Sequence, residues 1–145
     1  MKMRIFAAAC ALTALSMFAA CNNETELNIE TVGDTMAYNT TNLTAPAGGT
    51  VKLTLTNKAT SPAMQHDWVL VKPGSEQEVS LAGITAGAAK DFIPDNANII
   101  AHTKLTKPGE TDTITFTAPV TAGDYPYICT FPGHYPMMKG VLKVN

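Results

Sequence analysis

The chain has 145 residues, of which 46% are hydrophobic and 15% are charged, a composition that suits a folded domain with a buried core. Ten basic residues stand against twelve acidic ones, the net charge is −2, and no arginine follows Arg4. Because nucleic-acid binding depends on lysine and arginine to neutralise phosphates and read bases, this composition excludes nucleic acid as a partner.

The first 20 residues have the pattern of a secretory signal. Lys2 and Arg4 give a positive start, and an uncharged apolar run follows from 5 to 20. This run is shorter than the about 20 apolar residues that a spanning helix needs, and no comparable run follows it, so we expect no lasting transmembrane helix.

The end of this leader predicts a lipid-modified protein. Phe18 is bulky where an ordinary signal peptidase requires a small residue, whereas Phe18-Ala19-Ala20-Cys21 resembles a bacterial lipoprotein signal. The resemblance implies a lipoprotein-type signal peptide over 1–20, acylation of Cys21 and a lipid-attached tether over 21–26. Asn22 is not the aspartate that often marks inner-membrane retention. We therefore expect a lipid-anchored, periplasm-facing protein of the bacterial cell envelope, in the outer membrane rather than the inner.

Residues 27–145 are predicted to form one domain of short strands. Strict alternation of apolar and polar residues over 51–56 and 113–118 indicates half-buried strands. Weaker alternation predicts further strands, with glycine and proline between them, at 27–29, 36–38, 68–71, 125–128 and 141–144. Seven or more short strands with frequent turns are typical of a β-sandwich.

One segment between these strands has the pattern of a short helix. Ser75-Glu76-Gln77-Glu78 matches a capping box, in which a hydroxyl and a carboxylate three residues apart satisfy backbone N–H groups at a helix start. A helical period continues through Val79 and Gly83 to Phe92. The sequence therefore predicts one helix inserted between strands.

The residues most capable of metal chemistry lie near the end of the chain. Cys129, His134 and Met138 offer a thiolate, an imidazole and a thioether within ten residues, on a loop bent by Pro132-Gly133. His66, at the start of a predicted strand, supplies a second imidazole. Each residue alone has an ordinary structural explanation, but together they form the ligand set of an electron-transfer copper centre.

The pattern resembles the azurin and auracyanin branch of the cupredoxins, the blue copper proteins. The resemblance lies in 64–70, 99–105 and 129–140 and covers 26–145. It implies an all-β fold, a Greek-key β-sandwich of about seven to eight strands with one short inserted helix. It also implies one copper ion that alternates between Cu(I) and Cu(II).

The resemblance assigns the metal ligands. The equatorial ligands are His66, Cys129 and His134, and the axial thioether is Met138. The family places a backbone carbonyl opposite the methionine, here that of Gln65. Azurins have a glycine at that position, which lets the carbonyl approach the metal. We therefore expect a long, weak contact from Gln65, as in the auracyanin-like variant.

Three residues next to the ligands are expected to support them: Asp67, Thr130 and Phe131. Asp67 stands where azurins carry an asparagine whose amide links the two ligand segments. An ionised carboxylate only accepts hydrogen bonds, so the link must be remade through Thr130 or a backbone N–H. His102 matches a family histidine that does not bind the metal.

A closed four-ligand site leaves no position for a substrate, so we expect a one-electron carrier rather than an enzyme. His134 is the expected exit route for the electron. Around it we expect an uncharged patch that contacts redox proteins of the cell envelope, formed by Met36, Met64, Phe131, Pro132, Gly133, Tyr135 and Pro136. The protein is expected to be a monomer.

Other classes of protein fit less well. A multicopper oxidase needs histidines beside the cysteine, but Cys129 has Ile128 and Thr130 as neighbours, and no Gly-x-Ser-x-Gly motif of a hydrolase occurs. A periplasmic copper-binding or copper-delivery protein stays open as the alternative, because it would use similar ligands and exchange its metal readily. A metal-free adhesion domain is the other alternative.

Overall fold

The computed structural model describes residues 24–145. The predicted signal peptide over 1–20 and the predicted lipid attachment at Cys21 lie outside the described residues. In the described part, eight strands form two sheets, and one α-helix lies between the fourth and fifth strands, which confirms the expected β-sandwich. The strands are β1 (Thr25–Glu30), β2 (Asn42–Ala45), β3 (Thr50–Thr56), β4 (Val69–Val71), β5 (Ile99–His102), β6 (Thr111–Thr117), β7 (Gly123–Ile128) and β8 (Lys139–Val144).

The two sheets differ in size and pairing. The smaller has the order β1-β3-β6, with β1 parallel and β6 antiparallel to β3. The larger has the order β2-β8-β7-β4-β5, in which only the β2–β8 pair is parallel. The alternation predicted over 51–56 is present, since Val51, Leu53 and Leu55 are fully buried and their neighbours are not.

The core between the sheets contains a cluster of aromatic rings. Trp68, which is fully buried, packs with its ring centre 5.8 Å from that of Phe116 and 5.6 Å from that of Tyr127. Phe116 belongs to the smaller sheet and Tyr127 to the larger one. Trp68 therefore joins the two sheets two residues after His66, and the segment that carries this histidine is held by the core.

Several predicted strand ends differ from the observed ones, and one predicted strand is absent. β1 begins at Thr25, inside the predicted tether, because Thr25 and Glu26 already pair with β3. The segment 36–38 is not a strand, since a backbone hydrogen bond from Val32 to Ala37 (3.0 Å) closes a turn and only Tyr38 forms an isolated bridge. The strands 42–45 and 99–102 were not predicted as strands.

The helix α1 (Glu76–Ala86) is present and begins directly after Ser75 as predicted, but the predicted capping bond and the predicted end are wrong. The Ser75 hydroxyl donates to the Lys72 carbonyl (2.6 Å) and makes no capping bond. The helix also stops before Phe92, because Gly87 adopts a positive φ of 74° that ends it. Within residues 24–145, no helix combines the length and apolar character needed to cross a bilayer.

Candidate metal centre

The metal-ligating residues lie at one end of the sandwich, where two separate segments meet. His66 precedes β4 and exchanges backbone hydrogen bonds with Thr106 at 3.1 and 2.8 Å. The Thr106 hydroxyl also donates to the His66 carbonyl (2.6 Å). Cys129 directly follows β7, and the loop after it leads into β8. Strand ends and backbone bonds therefore fix both segments.

The three predicted equatorial ligands come together as a buried cluster. One ligating atom from each of His66, Cys129 and His134 lies within 4.8 Å of the others. The Cys129 Sγ is 4.0 Å from His66 Nδ1 and 3.6 Å from His134 Nδ1. Metal–nitrogen and metal–sulfur bonds of about 2.0 and 2.3 Å in a trigonal plane would separate the donor atoms by about 3.7 Å. The spacing thus fits one ion shared by all three.

The loop between Cys129 and β8 brings the fourth predicted ligand inward. The Cys129 N–H donates to the Met138 carbonyl (3.0 Å), which closes the loop at its base. The N–H groups of Met137 and Met138 both donate to the His134 carbonyl, at 3.1 and 2.9 Å. Met138 is fully buried, whereas Met137 is 72% exposed. Met138 is therefore placed as in a Cys-His-His-Met site, and the contact from Gln65 stays a prediction.

Burial keeps the two imidazoles neutral. Burial and the neighbouring His134 lower the pKa of His66 to about 4, and burial also lowers the pKa of His134. The His66 Nε2 is buried without a hydrogen-bond partner among residues 24–145, while Nδ1 faces the thiol. Neutral imidazoles with Nδ1 directed at one point are ready to bind a metal.

The cysteine needs the metal in order to ionise. Burial, and then the nearby Asp67 carboxyl, raise the pKa of the Cys129 thiol well above its usual range. The thiol thus holds its proton until a cation displaces it. A soft thiolate beside two imidazoles, closed off from solvent, is a donor set that suits copper.

The expected link through Thr130 is present. Asp67 Oδ1 accepts the Thr130 N–H at 2.7 Å, and Oδ2 accepts the Thr130 hydroxyl. Burial raises the pKa of Asp67 to about 6, against the lowering effect of both Thr130 hydrogen bonds. The Tyr38 hydroxyl donates to the Asp67 carbonyl (2.5 Å). Asp67 thus joins the two ligand segments from a fully buried position.

The remaining residues singled out in the sequence lie around the cluster. The Phe131 ring is 4.7 Å from the His134 ring and 5.3 Å from the Phe92 ring, measured between centres. His102 lies at the end of β5, outside the three-residue cluster, with Nδ1 2.9 Å from the Thr103 carbonyl oxygen. Phe131 therefore packs directly on a ligand, and His102 is not one of the clustered ligands.

Comparison with known families gives this site a precedent. The family model for copper-binding proteins of the plastocyanin/azurin family matches residues 24–145, which is the whole described part of the chain. The chain belongs to this family. Copper is therefore its metal, and the expectation of an electron-transfer protein rather than an enzyme is confirmed by membership in the cupredoxins.

Individual relatives point to the same branch. Auracyanin-A of Chloroflexus aurantiacus is 46% identical over 122 residues, which cover 82% of this chain and 74% of that protein. An azurin of Achromobacter denitrificans is 43% identical over 99 residues, which cover 66% of each chain.

Solved structures of two auracyanins share the fold. The structure of auracyanin A, a blue copper protein from Chloroflexus aurantiacus, has a TM-score of 0.77 and 43% identity, covering 84% of this chain and 99% of that one. Dithionite-reduced auracyanin from Roseiflexus castenholzii has a TM-score of 0.78 and 42% identity, covering 83% and 97%. The fold expected from the sequence is thus confirmed.

One apolar surface beside the site is not among the predicted features. Leu81 and Ile84 of α1 are 57% and 49% exposed. They line a depression of about 260 Å³ together with residues of the ligand loop, namely Gly133, Tyr135 and Pro136. The three-residue spacing of Leu81 and Ile84 indicates a second apolar face of the helix, distinct from the face of Val79 and Gly83 that packs against the core.

Proposed function

We propose that this cupredoxin shuttles single electrons between redox proteins of the bacterial cell envelope. The observation that carries the proposal is the buried cluster of His66, Cys129 and His134, with Met138 buried on the same loop. Copper, when bound, supplies the Cu(I)/Cu(II) couple. The four side chains leave no position for a substrate.

The protein's contribution is to fix the positions of these ligands. His66 is fixed by its bonds to Thr106, and the ligand loop is fixed by the bond from Cys129 to Met138. Asp67 ties the two segments together. Ligands that keep their places when one electron arrives allow fast transfer, because little has to be reorganised.

The electron is proposed to pass through His134, which is 5% exposed while His66 is fully buried. The surface around it is proposed as the contact for redox partners, and Met36, one of its proposed members, is 39% exposed. We add Leu81 and Ile84 to this surface because they share a depression with three members of the ligand loop. The uncharged docking patch therefore comprises Met36, Met64, Phe131, Pro132, Gly133, Tyr135, Pro136, Leu81 and Ile84.

The protein is proposed to work as a monomer held on the periplasmic side by a lipid on Cys21, in the outer membrane. Support comes from the lipoprotein-like sequence Phe18-Ala19-Ala20-Cys21 and from Asn22 after it. The intact mass of the purified protein should exceed that of residues 21–145 by acyl groups. Cys21→Ser should release the protein from the membrane fraction, and an unmodified mass would refute the anchor.

The visible spectrum with copper(II) tests electron transfer most directly. We expect an intense blue thiolate-to-copper band and a reversible one-electron couple. Cys129→Ser should abolish the band, because Cys129 is the cysteine of the cluster, whereas Cys21→Ser should retain it. A colourless protein without a reversible couple would refute the proposal. Rapid loss of copper to a chelator would instead favour the delivery alternative.

A further inference from the structure

The end of the sandwich opposite the metal centre carries its own exposed apolar surface. Val120, in the turn between β6 and β7, is 81% exposed, the highest value among the exposed large hydrophobic residues of the described part. Beside it lies a depression of about 500 Å³. We call this the far-end surface, lined by Lys72, Pro73, Ile100, Pro119, Val120, Thr121 and Tyr125.

The strand register places the start of β1 at this same end. Thr25 pairs with Val51, and Val51 pairs with Phe116. Because neighbouring strands lie about 4.8 Å apart, Thr25 is about 10 Å from Phe116 across the sheet. The turn that carries Val120 begins directly after β6, the strand of Phe116. The chain therefore enters the domain beside the far-end surface.

The metal centre lies at the other end of the strands. β7 begins at Gly123, next to the Val120 turn, and ends at Ile128, directly before Cys129. Six residues of strand span about 20 Å. The four residue-to-residue steps from Cys21 to Thr25 reach at most about 14 Å when extended. A lipid on Cys21 therefore holds the far end close to the bilayer.

We propose that the far-end surface rests on the membrane that holds the lipid anchor, with Val120 in the interface and His134 directed away from it. This inference rests on the proposed acylation of Cys21. Partial burial of Val120 and of the apolar depression in the interface is favourable. Because the lipid anchor already holds the chain on the membrane, the short connection makes this second contact intramolecular. Lys72, an exposed residue of this lining, would place its ammonium group among the headgroups.

The contact is apolar in character and does not depend on anionic lipid. The charged side chains at this end have both signs, since Lys52 forms an ion pair with Glu26 (3.1 Å) near the start of β1. Lys143 and Asp124 face each other as register partners in β8 and β7. Vesicles of zwitterionic phosphatidylcholine are therefore the appropriate probe.

Lysine labelling tests the orientation without altering the surface. The lipidated protein is reconstituted in phosphatidylcholine vesicles, treated with a water-soluble amine-acylating reagent and compared by mass spectrometry with soluble Cys21→Ser protein. Labelling of Lys72 should fall severalfold on the vesicles, whereas Lys139, at the metal end, should be labelled equally in both. Equal labelling of Lys72 in both forms, with the protein bound, would overturn the orientation and leave the anchor standing.

A fluorescent reporter provides an independent measurement. Val120→Trp and Met137→Trp each add a tryptophan at an exposed position, 81% and 72% exposed in the parent, while the buried Trp68 gives the same background in both. The protein is measured in its copper(I) form. Lipids brominated on their acyl chains should quench the fluorescence of the tryptophan at position 120 and leave that of the tryptophan at position 137 unchanged.

The outcomes separate the orientation from the anchor. Quenching at neither position on bound protein, or stronger quenching at 137, would overturn the proposed orientation. Dimers in sedimentation together with unquenched tryptophan at 120 would assign the far-end surface to a second copy instead. Failure of the parent protein to co-sediment with vesicles would refute the anchor, and the orientation with it.

Discussion

The Asp67 carboxylate makes a bidentate hydrogen-bonded contact with Thr130, which lies 63 residues further along the chain. One carboxylate oxygen accepts the Thr130 N–H and the other accepts its hydroxyl. Because these residues directly follow the ligands His66 and Cys129, the contact sets the distance between the first imidazole and the thiolate. An asparagine amide would make one bond as acceptor and offer the other as donor, so the carboxylate is matched to two donors.

We expect Asp67→Asn to raise the reduction potential of the copper site. A buried negative charge next to the ligands favours Cu(II) over Cu(I), and the amide removes that charge. Voltammetry at neutral pH measures the shift. Asp124→Asn, which removes an exposed charge at the far end of β7, should leave the potential nearly unchanged. A lower potential in Asp67→Asn would contradict this account.

Imidazole is expected to refill the sites of removed histidines. His134→Gly opens a ligand position near the surface, and His66→Gly opens one in the buried interior. Added imidazole should restore the blue band in both, at a lower concentration for His134→Gly because access is easier. If His134→Gly alone left the spectrum of the parent protein unchanged, the assignment of this ligand would be wrong.

Gly83→Ala should destabilise the protein although alanine is the better helix former. An added Cβ would lie 2.5 Å from the Phe92 carbonyl oxygen and 3.3 Å from the Thr130 Cβ. Overpacking of this kind costs about 1–3 kcal/mol, more than the about 1 kcal/mol gained in helix propensity. Denaturant unfolding checks the prediction. Thr85→Ala, on the exposed side of the same helix, should change the free energy of unfolding far less.

Asp34 should make the free energy of unfolding depend on pH in the acid range. Its carboxylate accepts hydrogen bonds from the N–H groups of Ser61 and Thr60 and from the Thr60 hydroxyl, and these bonds lower its pKa below 3.8. The resulting stability is fully present above pH 3.8, the ordinary value, and is lost as the pH falls through the lowered pKa. Asp34→Asn should therefore be less stable than the parent at pH 6.

The difference between Asp34→Asn and the parent should shrink at strongly acid pH, where the parent carboxyl is protonated. NMR titration of the Asp34 carboxyl gives its pKa independently. A pKa at or above 3.8 would contradict the role of these hydrogen bonds.

Leu81→Asp should slow electron exchange without changing the spectrum. Leu81 is exposed beside the ligand loop but belongs to α1, so a charge there disturbs an apolar encounter and leaves the ligands in place. Electron self-exchange measured by NMR line broadening should slow severalfold. Val120→Asp in the soluble Cys21→Ser background is the control, because it adds the same charge at the opposite end. Equal slowing in both variants would exclude α1 from the docking patch.

The sequence predicted the parts that depend on short patterns. The alternation over 51–56 and the ligand loop of Cys129, His134 and Met138 are local, and the structure has them as expected. The helix was predicted, but the Ser75 hydroxyl makes a different local bond and Gly87 ends the helix early.

The remaining differences depend on tertiary contacts that local patterns do not record. Thr25 and Glu26 are polar, and they become strand only because β3 lies alongside them. The helical period through Val79 and Gly83 does mark the buried face of α1, whereas nothing local indicates that the exposed Leu81 and Ile84 lie beside the ligand loop. The Phe92 carbonyl and Thr130, which lie close to the Gly83 position, belong to other segments of the chain.

The short loop closed by the bond from Cys129 to Met138 has a consequence for unfolding. Three of the four ligands lie within ten consecutive residues, so the unfolded chain keeps them near one another and retains affinity for copper. A metal that binds both states stabilises the fold only by the difference between its two affinities. Most of that difference rests on His66, the one ligand that folding has to deliver from elsewhere in the chain.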